Sequence, residues 1–290
     1  MRNTIFAFIV IAAWTGPASG QEQSQANRTV QPLYRVEVIS RTTKAINYGH
    51  RTLPTKVDFR GTVLLPDARG EARVETKRGV VEMETKFENM PPPTRFGPEY
   101  LTYVVWALTP EGRPTNLGEV VLNPSNKAKL NVSTELQAFA MIVTAEPYFS
   151  VTQPSNVVVL ENALRPDTVG KVEEVDVKYE LLPRGRYTYE VPRGANQTAE
   201  AEGPKLSMDE YEAVLAVYQA QNALQIAQAA GADRHAAETY QKAAQLFQQA
   251  QNYRAGRGPS RQIVMTARQA AQTAEDARAI AVKRQQEGKQ

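Results

Sequence analysis

The spacing of apolar residues changes once along the chain. Between residues 33 and 192 they fall mostly at alternate positions in short runs, and beyond Ser207 they recur at intervals of three and four. In "EARVETK", Ala72, Val74 and Thr76 share one face, opposite Glu71, Arg73, Glu75 and Lys77. After Arg78-Gly79, Val81, Met83, Thr85 and Phe87 point one way and Glu82, Glu84 and Lys86 the other. Two period-two arms around a glycine turn predict a half-buried antiparallel hairpin. "YLTYVVWAL" (100–108) is apolar on both faces, which predicts a central strand covered on both sides. "YRVEVIS", "KVDFRGTVLL", "LGEVVL", "AKLNVST", "AFAMIVTAE", "NVVVLENAL" and "VEEVDVKYELL" read as further short strands, and the triple proline of "NMPPPTRFGPE" as a connector. Closely spaced strands with no helix between them predict an Ig-like antiparallel β-sandwich over residues 33–192.

Residues 193–206 are small and polar, a linker to the second regime. Ser207 and Glu210 fit a capping box, and Gly231 suits the C′ position that ends a first helix at Ala230. Its expected apolar stripe is Tyr211, Val214, Leu215, Val217, Tyr218 and Leu224. A second helix spans 236–254 with Tyr240, Ala243, Ala244, Phe247 and Ala250 on one side. After the loop "AGRGPS", Ser260 is expected to cap a third, with Val264, Ala267, Ala271, Ala274, Ala277 and Ala281 as its stripe. Alanine at a seam lets helices approach to the near end of the usual 8–10 Å range. The fold class is therefore β + α in two domains, the sandwich being followed over 207–290 by an antiparallel helical hairpin or three-helix bundle.

The N-terminus adds an address. Arg2 is the sole charge before the apolar run from Ile5 to Trp14; Gly16, Pro17 and then Ala18-Ser19-Gly20 follow. That order predicts a secretory signal peptide over 1–20, cleaved before Gln21, with a disordered polar segment over 21–32. The location expected is periplasmic or secreted. No later apolar run approaches bilayer-spanning length, so no transmembrane segment is expected after cleavage. The 290 residues include no cysteine, which excludes disulfides, thiolate chemistry and a lipidated-cysteine anchor. Hydrophobic residues make up 42% and charged residues 22%, a globular balance. The net charge of +3, with a pI near 9.0, is too diffuse to suggest a nucleic-acid partner.

Candidate chemistry is sparse. The two histidines, His50 and His235, lie in different domains, and the one-turn pair His235/Glu238 is short of a metal site. Glu82/Glu84 and Glu173-Glu174 lie in strand-like text, with Glu82 and Glu84 on one face, suited to a solvated surface. Phosphate-loop and dinucleotide-binding glycine patterns are missing. Tyr103 and Trp106 fall on opposite faces of their strand and, with Tyr100, read as core. Asn131 and Asn196 each begin a glycosylation sequon. Arg254, Arg257 and Arg261 cluster around "AGRGPSR", next to a helix start, and are the candidate contact for an anion or partner. A basic end that completes the preceding helix's dipole explains the same residues. No catalytic residue, cofactor or metal is expected.

Two resemblances add to this. "YVVWALTPEGRPTNLGEVVL" with "MIVTAEPYFSVTQPSNVVVL" resembles the exported C-terminal domain of anti-sigma-K factors, through Tyr103, Trp106, Gly112, Gly118, Thr144, Glu146, Pro147 and Pro154. "YQAQNALQIAQAAGADRHAAETYQKAAQLFQQAQ" with "ARQAAQTAEDAR" resembles an uncharacterised Ala/Gln-rich helical domain of Gram-negative envelope proteins, of the OmpA-associated or lipoprotein type. The first implies an exported β domain, the second a periplasmic helical rod. Together they lead to a non-enzymatic envelope protein that acts as an interaction or structural adaptor for another envelope protein. The alternatives are an accessory of envelope signalling, a cell-wall glycan binder and a hydrolase.

Overall fold

The computed structural model describes residues 43–49, 53–165 and 207–288, all within one compact unit, residues 36–290. The expected signal peptide, the polar segment, the strands at 34–40 and 172–182 and the linker at 193–206 lie outside the described residues.

The molecule is a mixed β + α protein in which an antiparallel sheet is followed by C-terminal helices. Its strands are β1 (Ile46–Asn47), β2 (Thr55–Gly61), β3 (Arg69–Lys77), β4 (Val80–Glu88), β5 (Thr102–Leu108), β6 (Pro114–Val120), β7 (Ala128–Thr134), β8 (Ala138–Glu146) and β9 (Val158–Ala163). They follow the order β6-β5-β8-β9-β2-β3-β4-β7, with β1 paired to β8. The two ends of this path approach each other: a Cβ built on Gly118 of β6 would lie 3.4 Å from Val132 Cγ1 of β7.

The β3–β4 hairpin follows the predicted pattern. Val81, Met83, Thr85 and Phe87 are buried, whereas Glu82, Glu84 and Lys86 are exposed. Arg78 and Gly79 both have positive φ, 52° and 83°, as a type I′ turn requires. "KVDFRGTVLL" is strand only as far as Gly61, because the chain turns there through Leu65 N–H to Thr62 O and Ala68 N–H to Leu65 O. A Cβ on Gly61 would sit 1.9 Å from the Leu65 carbonyl oxygen, so only glycine fits at that turn.

β5 is buried at every position because it separates two apolar clusters. Tyr103, Val105 and Ala107 join Val57, Phe59 and Phe87 in the core enclosed by the sheet. Val104, Trp106 and Leu108 face the other way, with Ala140 and Ile142 of β8, and pack in the same cluster as the helices. Burying one such side chain contributes about 1.5–3 kcal/mol. By contrast, the outer faces of β3 and β4 carry solvated charges.

The helices are α1 (Met208–Ala229), the single turn α2 (Ala232–His235), α3 (Ala237–Ala255) and α4 (Ser260–Glu287). Ser207 Oγ accepts from Glu210 N–H, and the Glu210 carboxylate accepts from Ser207 N–H, completing the capping box. Those bonds hold the Glu210 carboxyl below its ordinary range. Gly231 has φ 77°, the left-handed conformation expected after the first helix. At the start of α4 the N-cap is Pro259 and not Ser260, which is already helical. Proline's fixed φ suits a helix entry, where its missing N–H costs nothing. Gln285 Nε2 donates to Ala230 O and an Arg284 nitrogen to His235 O, so the C-terminal ends of α1 and α4 lie together.

The buried side of α1 differs from the stripe expected. Ala213, Ala216, Ala220, Ala223 and Ala227 are buried with Val217 and Leu224, whereas Tyr211 is 44% exposed and Val214, Leu215 and Tyr218 are half-buried. The reason is that α1 is covered on more than one side. It packs against α4 and α3, and Gln219 and Asn222 reach the β half. Small side chains face the closest contacts and large ones lie along the flanks. In α4, Ala267, Ala271, Ala274, Ala277 and Ala281 are buried as expected, and Val264 is half-buried.

Ala274 has no exposed surface. Ala274→Leu should therefore overpack its contact and lower stability by about 1–3 kcal/mol in urea denaturation. Gln248→Leu on the exposed side of α3 should stay within roughly 0.5 kcal/mol of wild type. Equal losses would contradict a close alanine contact.

Candidate functional site: the polar seam between sheet and helices

Carboxylates rarely lose all contact with water unless they are paired, because an unpaired buried charge costs several kcal/mol. Glu119 on β6, Glu146 on β8 and Glu275 on α4 are all buried. Glu119 and Glu275 join the β half to the helices, and Glu146 braces the sheet behind the seam.

Glu275 is placed by the alanine face of α4, between Ala274 and Ala277, which carries it into the interface. Its Oε2 accepts from the Tyr148 hydroxyl at 2.6 Å. Its Oε1 accepts from Thr152 N–H at 3.1 Å and Thr152 Oγ1 at 2.6 Å. Arg278, one turn on, grips both oxygens at 2.7 Å through Nε and Nη2. Planar two-point pairing of this kind is among the strong charge-assisted contacts in proteins. Arg278 also donates to Thr152 Oγ1 at 3.0 Å.

Glu119 anchors the other side of the seam. Its Oε1 accepts from Thr102 Oγ1 at 2.8 Å and from Gln219 Nε2 of α1 at 2.6 Å, and its Oε2 from Arg268 of α4. One carboxylate thus ties β5, β6, α1 and α4 together. The Arg268 guanidinium lies 4.6 Å from the centre of the Phe149 ring. Phe149 N–H donates to Gln219 Oε1 at 2.8 Å, and Asn222 Nδ2 donates to Glu99 O and Pro147 O.

Within the sheet, Trp106 Nε1 donates to Thr144 Oγ1 at 2.8 Å, and Thr144 Oγ1 donates to Glu146 Oε1 at 2.5 Å. Ser155 N–H meets the same oxygen at 2.6 Å. This relay fixes the loop after β8, which carries Tyr148 and Thr152 to Glu275. It is a bracing arrangement.

The residues singled out by sequence are distributed differently. Arg254, Arg257 and Arg261 are exposed at the α3–α4 turn, away from the seam; the Arg254 guanidinium sits 5.6 Å from the centre of the Tyr218 ring. His50, Glu173, Glu174 and Asn196 lie outside the described residues. His235 closes α2 and is exposed, as is Glu238. Glu82 pairs with Lys77 on the outer sheet face, and Asn131 is exposed on β7. Tyr100, Tyr103 and Trp106 are core. Burial pushes the Tyr103 hydroxyl well above its ordinary pKa, and it donates to Pro91 O. Among the described residues no group of three or more His, Asp or Glu side chains is arranged to hold a metal ion, and no helix is long and apolar enough to cross a membrane.

Sequence reasoning missed the seam. Its signal was polar side chains set on an alanine stripe: Gln219 and Asn222 three apart on α1, and Glu275 and Arg278 three apart on α4.

Removing one partner of a buried pair strands the other. Glu275→Ala leaves Arg278, whose side chain is 13% exposed, and should cost about 3–5 kcal/mol. Glu119→Ala should cost less, since Arg268 is 39% exposed and can turn to water. Chemical denaturation of both variants checks the order; the reverse ranking would mean that the two carboxylates do not share the load as drawn.

No protein-family model matches the chain, and no curated protein is significantly similar to it.

Proposed function

We propose that the protein is an exported, non-enzymatic component of the cell envelope that works as a structural or interaction adaptor. In this reading the β half is an Ig-like sandwich, the helical half is an antiparallel three-helix bundle, and residues 1–20 are a cleaved signal peptide. The carrying observation is how the buried charge is used. Glu119 and Glu275, with Arg268 and Arg278, fasten helices to sheet, and Glu146 is tied to Thr144 and Ser155. Each of these groups is committed to a contact between elements, which suits a rigid body that presents surfaces. The N-terminal order of one charge, an apolar run and small residues supports export.

Tagged protein expressed from its own gene should be recovered from the periplasmic or secreted fraction with Gln21, or its cyclised form, at the N-terminus by mass spectrometry. Cross-linking there should capture a folded envelope protein in a defined ratio. Intact Met1 in the membrane fraction would overturn export. Retention on isolated cell-wall sacculi with no protein partner would replace the adaptor by a glycan binder.

A further inference from the structure

We infer that the α3–α4 turn and the first turns of α4 dock on the phosphate face of an anionic lipid bilayer. Charge is segregated in this part of the chain. Residues 239–274 contain no Asp or Glu, yet they carry Lys242, Arg254, Arg257, Arg261 and Arg268. Arg268 is neutralised by Glu119. Arg254, Arg257 and Arg261 are exposed, and among the described residues none of the three makes an ion pair. The bounding carboxylates are distant. Glu238 lies about 24 Å from Arg254 along α3, and Glu275, already paired, about 21 Å from Arg261 along α4. The first turns of α1 carry three carboxylates, Asp209, Glu210 and Glu212; Glu210 is hydrogen-bonded to Ser207 and Glu212 lines a small cavity beside Arg268.

The turn also has an apolar component. Pro259, Arg261, Gln262, Met265, Thr266 and Gln269 line a shallow groove of about 370 Å³, and Met265 is 63% exposed. A soluble acidic glycan offers nothing to an exposed thioether. A bilayer interface accepts both parts, guanidiniums among the phosphates and an apolar side chain at the acyl boundary. Arg257 has φ 52° between two glycines, a left-handed conformation that glycine adopts freely and arginine at a cost. A large cation is held there against backbone preference.

The envelope reading supplies the biological setting, but the binding can be measured whatever the protein's partner. The chain from Gln21 onward keeps the whole compact unit and should be tested by co-sedimentation with phosphatidylglycerol vesicles and phosphatidylcholine vesicles. Binding should favour the anionic vesicles by on the order of a hundredfold, from three arginines near the surface, and should weaken steeply with salt. Arg254→Gln/Arg257→Gln/Arg261→Gln should abolish the preference. Met265→Ser should lower binding to anionic vesicles without changing its salt dependence. Arg257→Gly should weaken binding while the thermal midpoint stays level or rises, which separates lost charge from a damaged fold. Equal binding of wild type and the triple variant to anionic vesicles would overturn the inference. So would no vesicle binding by a protein retained on an acidic polysaccharide resin.

Discussion

A charge sealed from water must be matched where it sits, and Glu275 imposes that condition on the whole molecule. Its partners come from one residue on its own helix, Arg278, and two on the loop after β8, Tyr148 and Thr152. A shift of α4 against the loop would keep the Arg278 pair but break the buried bonds to Tyr148 and Thr152, at the cost of unsatisfied polar groups in a low-dielectric interior. Helix and loop are therefore indexed to each other, and the alanine contacts of α4 inherit their register from that index. Apolar packing alone would tolerate sliding, because alanine faces are nearly uniform along their length. The ionic seam supplies the specificity that the alanine contacts lack.

The same logic explains why the β half and the helices are not packed separately. β5 and β8 contribute alternate residues to two clusters, so the strands that close one core also floor the other. Glu119 bonds to this floor at Thr102 and to the helices at Gln219 and Arg268. A helix laid across an apolar sheet face normally buries large side chains. Here α1 brings alanine together with Gln219 and Asn222, and their hydrogen bonds to Glu119, Phe149, Glu99 and Pro147 take the place of part of the apolar gain.

Much of the local structure was legible in the sequence, where the determinant is local. The β3–β4 hairpin, β5, β7, β8, the Ser207 capping box and the Gly231 stop all follow from spacing, turn residues or a cap within a few positions. What was not legible depends on a second element. The stripe of α1 was read from its large residues, because on a helix with one covered side those are the buried ones. A helix covered on several sides buries its small residues as well, and α1 buries Val217, Leu224 and Ile226 among its alanines. Glu275 and Glu119 carry no local mark of burial: the loop after β8 covers the first, and α1 and α4 cover the second. The arginines at 254, 257 and 261 were visible as a basic cluster, yet their separation from the seam could be known only from the packing.

The hydrogen bond between the Trp106 indole and Thr144 makes the chain its own optical probe. The sequence contains one other tryptophan, Trp14, which falls in the expected leader. In a chain that lacks residues 1–20 a single indole remains, fully buried on the sheet face that the helices cover. Its fluorescence then speaks for one place only. Lifting the helical layer would admit water to that ring before the sheet itself came apart, and emission would move to the red while the strand signal in circular dichroism held. Separation of the layers and loss of the sheet are thus distinguishable by colour, with no label added.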